Sequence, residues 1–177
     1  MSEVESARPE VKVRKARAAD LEQFEKIVQS VADEERYIFI ERVTEERKES
    51  MGKLFKDSGC LVIVAEVVEG GKRKLVGNLT LTRYGDVEKS KHVRVLGMLV
   101  VGGYRGMGIG TKLIAYALGW AREQKGVEKV SLGVFSNNEL AFRLYEKFGF
   151  QVEGVRKKHY YIAGKHEDEI DMALFLK

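Results

Sequence analysis

A glycine-rich loop joins a predicted strand to a predicted amphipathic helix near the middle of the chain. The strand is predicted over residues 92–101, the loop reads R-G-M-G-I-G over residues 105–110, and the helix is predicted from about residue 108 to residue 124. Glycine lets the backbone approach a ligand closely, and the first N–H groups of a helix are unpaired and lie at the positive end of its dipole. The pattern predicts an anion-binding loop, for which phosphate is the natural ligand.

The spacing of this loop excludes two common phosphate-binding loops. A dinucleotide fingerprint needs a third glycine or alanine where Thr111 stands, and a P-loop needs Gly-Lys-Ser/Thr where the chain reads Gly110, Thr111, Lys112. A tight strand-to-helix turn without any ligand remains an alternative for the loop taken alone. The rest of the chain must decide between a ligand-binding loop and a plain turn.

The composition indicates one soluble domain over residues 1–177, with residues 1–10 flexible. Of the 177 residues 44% are hydrophobic and 33% are charged, which suits one buried core. No stretch approaches the roughly 20 apolar residues of a membrane span, and the polar first residues do not resemble a signal peptide. We therefore expect a cytoplasmic protein without a membrane partner. Because Cys60 is the only cysteine, no intrachain disulfide and no cysteine-based metal site can form, and no metal is predicted.

The charges are interspersed, with 31 Lys and Arg against 27 Asp and Glu and a net charge of +4, as is typical of a solvated surface. One basic cluster near the start comprises Lys12, Arg14, Lys15 and Arg17. It lacks interleaved aromatic residues, and the chain shows no helix-turn-helix or zinc-finger spacing. Nucleic-acid binding through this cluster is the least supported hypothesis, and no nucleic-acid partner is predicted.

The apolar periodicity predicts an α+β fold with a largely antiparallel sheet. A first strand over residues 11–16 precedes a helix that begins with a capping-box pattern of Asp20 and Gln23, and a second helix begins after Thr44. Further strands are predicted over residues 60–68, 75–82, 129–135, 150–156 and 168–176. The turns of the two hairpins are expected at residues 69–72 and 163–165.

The last predicted helix covers residues 139–148, and Asn137 or Asn138 is expected to cap it. Its buried residues are predicted to be Leu140, Ala141, Leu144 and Phe148. Cys60 lies on an early apolar strand and is predicted to be a buried packing residue rather than a nucleophile.

Two motifs at a characteristic separation carry a family resemblance. The loop over residues 105–110 resembles the Q/R-x-x-G-x-G/A coenzyme A loop of the GNAT N-acetyltransferase superfamily, and residues 136–150, S-N-N-E-L-A-F-R-L-Y-E-K-F-G-F, resemble its N-x-x-A-x-x-L-Y-x-x-x-G-F segment. The tail over residues 159–172 looks like the closing hairpin of the ribosomal-protein, polyamine and phosphinothricin acetyltransferase branches. The resemblance implies a mixed, mostly antiparallel sheet of six to seven strands flanked by about four helices.

The resemblance implies acetyl-CoA or coenzyme A as the cofactor and an N-acetyltransferase in which the amine attacks directly within a ternary complex. Tyr145 stands at the family's position for the acid that protonates the leaving thiolate, and a backbone N–H of Leu99 or Val100 is the candidate donor to the thioester oxygen. Asn138 would contact the pantetheine arm, cap its helix, or do both. The implied cofactor-binding residues are Met98, Leu99, Val100, Arg105, Gly106, Met107, Gly108, Ile109, Gly110, Thr111, Asn138 and Tyr145.

The general base departs from the family pattern. Gly133 and Arg94 stand where different relatives carry a catalytic glutamate, and neither can accept the proton. The remaining candidates are His92, Glu88, Tyr84 or a chain of water molecules. The acidic hairpin residues Asp168, Glu169 and Asp171 either attract a cationic amine or form an exposed acidic edge.

The acceptor stays open at this stage: a small amine, a polyamine or a protein N-terminus. The residues expected to select it are Tyr37, Phe39, Tyr84, Tyr160, Tyr161 and the acidic hairpin. The oligomeric state is open as well, with a homodimer among the options. The missing glutamate leaves one further hypothesis, a non-catalytic acetyl-CoA-binding sensor or regulatory subunit.

Overall fold

The structure, a computed structural model, describes residues 9–85 and 87–176. Residues 1–8, most of the segment for which the sequence predicts flexibility, lie outside the described residues. The helices are α1 (Leu21–Ala32), α2 (Glu45–Leu54), α3 (Ile109–Glu123) and α4 (Glu139–Lys147). The strands are β1 (Lys12–Lys15), β2 (Leu61–Glu69), β3 (Lys72–Arg83), β4 (Val93–Val100), β5 (Lys129–Phe135), β6 (Gln151–Ile162) and β7 (Lys165–Phe175).

The strands form one seven-stranded sheet in the order β1-β2-β3-β4-β5-β7-β6. β4 and β5 run parallel, and the other neighbours in the described chain run antiparallel. This arrangement confirms the α+β class and the mixed, mostly antiparallel sheet with four helices. The closing hairpin is longer than predicted, because β6 and β7 continue to the turn at Ala163 and Gly164, where both residues have positive φ.

Helices cover both faces of the sheet. On β2 the side chains of Leu61 and Ile63 belong to one core cluster and those of Val62 and Val64 to another, because successive side chains of a strand point to opposite faces. The first cluster contains the buried residues of α3 and Tyr145 of α4. The second contains Phe24, Ile27 and Val28 of α1 and Met51 of α2. Burial on both faces explains why the sequence of β2 is a continuous apolar run.

Two of the predicted helix caps are confirmed. The Thr44 hydroxyl accepts from Arg47 N at 3.3 Å, and Asn138 Oδ1 accepts from Ala141 N at 3.3 Å. Each bond satisfies an N–H in the first turn that has no partner within its helix.

The predicted capping box of Asp20 and Gln23 is wrong. Asp20 accepts from the Arg14 guanidinium at 2.6 Å and from Arg17 N at 2.6 Å, whereas Gln23 Oε1 accepts from Leu75 N at 3.3 Å. A charge-assisted bond to arginine is stronger than a bond to a backbone N–H. The carboxylate therefore turns away from the first turn of α1 and towards β1.

The prediction that Leu140 is buried is also wrong, because its side chain is 65% exposed. The buried face of α4 is centred on Tyr145, with Ala141 and Leu144 packed partly against the core. At about 100° per residue, position 140 lies roughly 140° around the helix from Tyr145, where it lines the open cleft. Cys60 is half-buried, with Sγ 3.4 Å from Asp57 Oδ2, and burial raises the pKa of its thiol, which suits a packing residue rather than a nucleophile.

The described helices include none long and apolar enough to cross a lipid bilayer.

Candidate functional site

The sheet splays open between β4 and β5. These two strands pair only from Val93 to Val95, whereas β4 stays paired with β3 as far as Val100. A cleft of about 1510 Å³ occupies the gap and reaches both faces of the sheet, since its walls include residues of α1 and α2 on one face and of α3 and α4 on the other. A ligand can thus extend through the sheet from one face to the other.

The backbone of β4 supplies the polar groups of the gap. Val101 N donates to Val76 O at 3.0 Å, so by the alternation of an antiparallel ladder Leu99 bonds towards β3 while Met98 and Val100 face the cleft. Val100 O accepts from Arg105 Nε at 2.8 Å on that side. Of the two N–H groups that the sequence left as alternatives, that of Val100 faces the cleft.

The glycine loop forms the end of the cleft on the α3 face. Gly106 and Gly108 have φ of 76° and 79°, a left-handed conformation that other residues rarely adopt, and Gly108 is the N-cap of α3. The first backbone bond of α3 runs from Lys112 N to Gly108 O at 3.1 Å, so the N–H groups of the preceding residues stay outside the helical ladder. The cleft walls include Arg105, Gly106, Gly108, Ile109, Gly110 and Thr111, whereas the side chain of Met107 packs against the core.

Arg105 is held by an acidic partner that the sequence did not reveal. Its guanidinium forms two bonds with the carboxylate of Glu34, at 2.6 and 2.9 Å. Glu34 follows α1 and lies 71 positions earlier in the chain, so no local pattern could have pointed to it. The Arg105 side chain therefore fixes the loop against the end of α1.

A contact between α4 and the start of α3 lies beside the cleft next to Tyr145. A Cβ on Gly110 would lie 2.9 Å from Leu144 Cδ2, so the Leu144 side chain occupies the space that the glycine leaves. Tyr145 is only 6% exposed and yet lines the cleft, and burial raises the pKa of its phenol. Asn138, the cap of α4, lines the cleft too, so capping and ligand contact are compatible roles.

Aromatic side chains form the wall on the α1 face. The ring centroid of Phe39 lies 4.5 Å from that of Phe135 and 5.1 Å from that of Tyr160. Tyr37 and Phe39 line the cleft. Tyr160 packs on Phe39 and Phe135 without lining the cleft itself, and Tyr84 and Tyr161 are exposed outside it. Asn78 was missed from the sequence because no motif contains it. It lines the same wall at 3% exposure, and its Nδ2 has no hydrogen-bond partner among the described residues.

The general-base candidates of β4 and the preceding loop lie away from the cleft. Arg94, already ruled out as a base from the sequence, is buried, and its Nη1 donates to the carbonyls of Lys91 and Val93. Glu88 forms an exposed ion pair with Lys91. Neither these residues nor His92 and Tyr84 are among those that line the cleft.

The acidic hairpin divides into three different environments. Asp168 pairs with Lys157 at 2.9 Å near the surface, and Asp171 pairs with Arg156 Nε at 2.9 Å. Glu169 is 6% exposed and lines the cleft. Only part of this cluster therefore behaves as an exposed acidic edge.

The described residues contain no group of three or more His, Cys, Asp or Glu side chains arranged to hold a metal ion.

In the basic cluster at the start of the chain, Arg14 forms ion pairs with Asp20 at 2.6 Å and with Glu66 at 2.7 Å. Its charge is therefore neutralised within the fold.

Comparison with known proteins agrees with this geometry. The model of the "Acetyltransferase (GNAT) family" matches residues 21–150. An N-alpha-acetyltransferase of Sulfurisphaera tokodaii is 30% identical over 161 residues, which are 88% of this chain and 89% of that protein. The L-amino acid N-acetyltransferase AaaT of Escherichia coli is 29% identical over 102 residues, so the match spans 56% of this chain and only 60% of that protein.

A solved structure extends the similarity to three dimensions. The crystal structure of the ribosomal-protein-alanine N-acetyltransferase from Brucella melitensis has a TM-score of 0.81 at 26% identity, covering 93% of this chain and 99% of that one. The family match thus includes most of the helices and strands that surround the cleft, and the structural similarity includes nearly all of them. On these grounds the chain belongs to the GNAT family of acetyl-transferring enzymes.

Proposed function

We propose that the protein transfers an acetyl group from acetyl-CoA to a primary amine within a ternary complex, without a covalent acetyl-enzyme. The observation that carries this proposal is the cleft, which runs through the splayed sheet from an anion-binding loop to a wall with a buried carboxylate. The loop end of the cleft suits a donor that has a diphosphate and a long arm ending in a thioester. The wall with the buried carboxylate suits an amine that carries a positive charge.

The loop end of the cleft fits the diphosphate of coenzyme A. Positive φ at Gly106 and Gly108 turns the backbone there, and a Cβ at either position would meet no atom within 4 Å, so the loop has open space in front of it. The unpaired N–H groups at the start of α3 would donate to phosphate oxygens, favoured by the helix dipole. Met98 and Val100 on the open edge of β4 would bond the pantetheine arm. Acetyl-CoA, when bound, supplies the activated acetyl thioester.

Two groups beside the gap suit the chemistry of the transfer. Val100 N–H is directed into the cleft, where it would donate to the thioester oxygen as that oxygen gains negative charge. The phenol of Tyr145 is protonated at neutral pH like any tyrosine, and burial raises its pKa further, so it holds a proton for the departing thiolate. Both groups are preorganised, one by the sheet and the other by packing in the core.

The acceptor is an amine that enters from the α1 face. Phe39 and Phe135 provide apolar area around the carbon chain next to the nitrogen, and the unpaired Nδ2 of Asn78 provides a donor for a carbonyl or hydroxyl oxygen. Small amines, polyamines and protein N-termini all present such a nitrogen. The named relatives include an L-amino acid N-acetyltransferase and an N-alpha-acetyltransferase, which supports an amine as the acceptor.

The proposal is tested by combining binding with turnover. Acetyl-CoA is expected to raise the melting temperature, and thiol release is expected with at least one member of a panel containing a primary alkylamine, a polyamine, an amino acid and a short peptide with a free N-terminus. Thermal protection without thiol release on any of them would instead indicate a non-catalytic acetyl-CoA-binding protein. Absence of protection contradicts the proposal altogether.

Tyr145→Phe tests the acid. Without the hydroxyl the thiolate must take its proton from water, so we expect turnover to fall about tenfold or more, most clearly at high pH where solvent is a poor proton donor. The affinity for acetyl-CoA should change little, because the ring keeps its packing against Phe150, with centroids 5.7 Å apart. Measured kcat across pH, with titration of acetyl-CoA binding, checks both parts.

Tyr116→Phe is the matched control for Tyr145→Phe. Tyr116 lies on α3, is 37% exposed and does not line the cleft, so removing its hydroxyl should leave kcat unchanged at every pH. Equal turnover of Tyr145→Phe and wild type across pH excludes Tyr145 as the acid.

A further inference from the structure

Gly133 leaves a space on the face of β5 that lines the cleft, and the carboxylate of Glu169 on the neighbouring strand β7 fills this space. A Cβ built on Gly133 would lie 2.2 Å from Glu169 Oε1. Residue 169 is in register with Phe135 and residue 171 with Gly133, so the Glu169 side chain extends diagonally across β5 over the glycine. It can do so because position 133 has no side chain.

Glu169 differs from the other carboxylates that line the cleft. Those of Glu46 and Glu139 are exposed on helix surfaces, and Glu139 is paired with Arg143 at 3.1 Å. Glu169 is 6% exposed and lies in the wall beside Phe135 and Gly133. Among the described residues that line the cleft, it is the one carboxylate withdrawn from water.

The charged and titratable groups that face Glu169 come from β6 and from β7 itself. Arg156 Nη1 lies 3.0 Å and His159 Nε2 3.7 Å from Oε2, and the charge of Glu169 contributes, after burial, to raising the pKa of the Tyr160 phenol. Arg156 is shared with Asp171, which it holds through Nε and Nη2 at 2.9 and 3.0 Å. From β5 the facing residues are Gly133 and Phe135, neither of which is charged.

We propose that Glu169 is the general base of the transfer, accepting the proton of the acceptor ammonium at the gap over Gly133. This inference rests on the proposed function. The ammonium loses one proton to the carboxylate, the freed nitrogen forms the new C–N bond to the acetyl carbon, and the C–S bond breaks. The sulfur takes a proton from Tyr145 or solvent, and the nitrogen gives up its second proton to Tyr145 or solvent to leave the neutral amide. Glu169 returns its proton to solvent by way of the half-exposed His159, so one proton is released in total.

Glu169→Gln tests the assignment with little risk to the fold. The amide has the same shape, and Arg156 keeps Asp171 as a partner, so no buried charge is left unpaired. At pH 7 we expect kcat/KM for the amine to fall about 100-fold, through kcat, with acetyl-CoA affinity within about twofold of wild type. The ratio of wild-type to variant kcat/KM should fall about tenfold per pH unit as the pH rises towards the pKa of the amine, which is roughly 10 for an alkylamine. At that pH the amine is already free and needs no base.

Asp171→Asn is the matched control. It removes a carboxylate from the same strand face and from the same arginine, but not from the gap over Gly133, so turnover should stay within about threefold of wild type. Melting temperatures of both variants, measured without ligand, establish that each is folded. A general-base role predicts that only Glu169→Gln changes the shape of the pH profile.

The remaining outcomes separate this inference from the proposed function. If Glu169→Gln keeps wild-type kcat and pH profile, or raises only the KM of the amine, Glu169 is not the base, although the acetyltransferase activity stands. The same holds if Asp171→Asn loses as much turnover with the same pH dependence. If wild type binds acetyl-CoA but releases no thiol with any amine, the proposed function fails and the role of Glu169 fails with it.

Discussion

Gly108→Val is expected to lower the affinity for acetyl-CoA by about 10- to 100-fold, which corresponds to about 1.4–2.7 kcal/mol. Position 108 has φ of 79° and is the N-cap of α3. A left-handed conformation costs an L-residue about 1–2 kcal/mol, more when it is β-branched, so valine would move the loop towards an ordinary conformation. The N–H groups that start α3 would then no longer converge on one phosphate position. Isothermal titration with acetyl-CoA at 25 °C measures the loss.

Gly103→Val provides the control within the same loop. Gly103 is exposed, a Cβ there would meet no atom within 4 Å, and its φ lies outside the left-handed region. The same change of side chain should therefore leave the affinity within about twofold of wild type. If Gly108→Val binds acetyl-CoA as well as Gly103→Val does, the loop is only a turn between strand and helix, the alternative that its sequence left open.

Arg14→Met is expected to destabilise the fold by about 3–5 kcal/mol at pH 7, because it leaves two carboxylates without their cationic partner in a poorly hydrated position. The side chains of Arg14, Asp20 and Glu66 are 15%, 12% and 7% exposed. The triad joins β1, β2 and the start of α1. Urea unfolding followed by circular dichroism measures the difference.

As the pH falls, the contribution of Asp20 and Glu66 to stability should change in opposite directions in Arg14→Met and in wild type. Bonding to Arg14 holds the pKa of Asp20 and of Glu66 below their usual range near 4, so this stabilisation is present above that range and is lost as the pH falls through the lowered values. In Arg14→Met the buried carboxylates are more easily protonated, and protonation relieves the unpaired charge. The stability gap between wild type and variant should therefore narrow below about pH 4.

Two further variants distinguish a buried network from a surface pair. Lys26→Met removes an exposed i,i+4 pair with Glu22, whose side chains are 71% and 78% exposed, and should cost less than about 0.5 kcal/mol. Neutralising the whole triad with Arg14→Met, Asp20→Asn and Glu66→Gln together should restore much of the stability. A single Arg14→Met that costs no more than Lys26→Met contradicts the buried-network account.

Local sequence features predicted most of the fold. Apolar periodicity located the helices and strands, Gly70 and Gly71 located the first hairpin turn, and Thr44 located the start of α2. These signals succeed because each depends on residues within a few positions of one another. The errors at Asp20 and Leu140 have one cause in common. Their surroundings are set by another element, β1 for Asp20 and the open cleft for Leu140.

The sequence by itself determined the fold class and the family to which the chain belongs, because backbone conformation and helix amphipathicity depend on residues close together in the chain. It also predicted an anion-binding loop over residues 105–110. Only the tertiary structure decided which backbone N–H of β4 faces the cleft, which carboxylate holds Arg105, and which acidic side chain of the closing hairpin lies over Gly133. Each of these depends on the register between strands, or on contacts between segments, that lie far apart in the chain. Such contacts follow from the packing of the whole sheet.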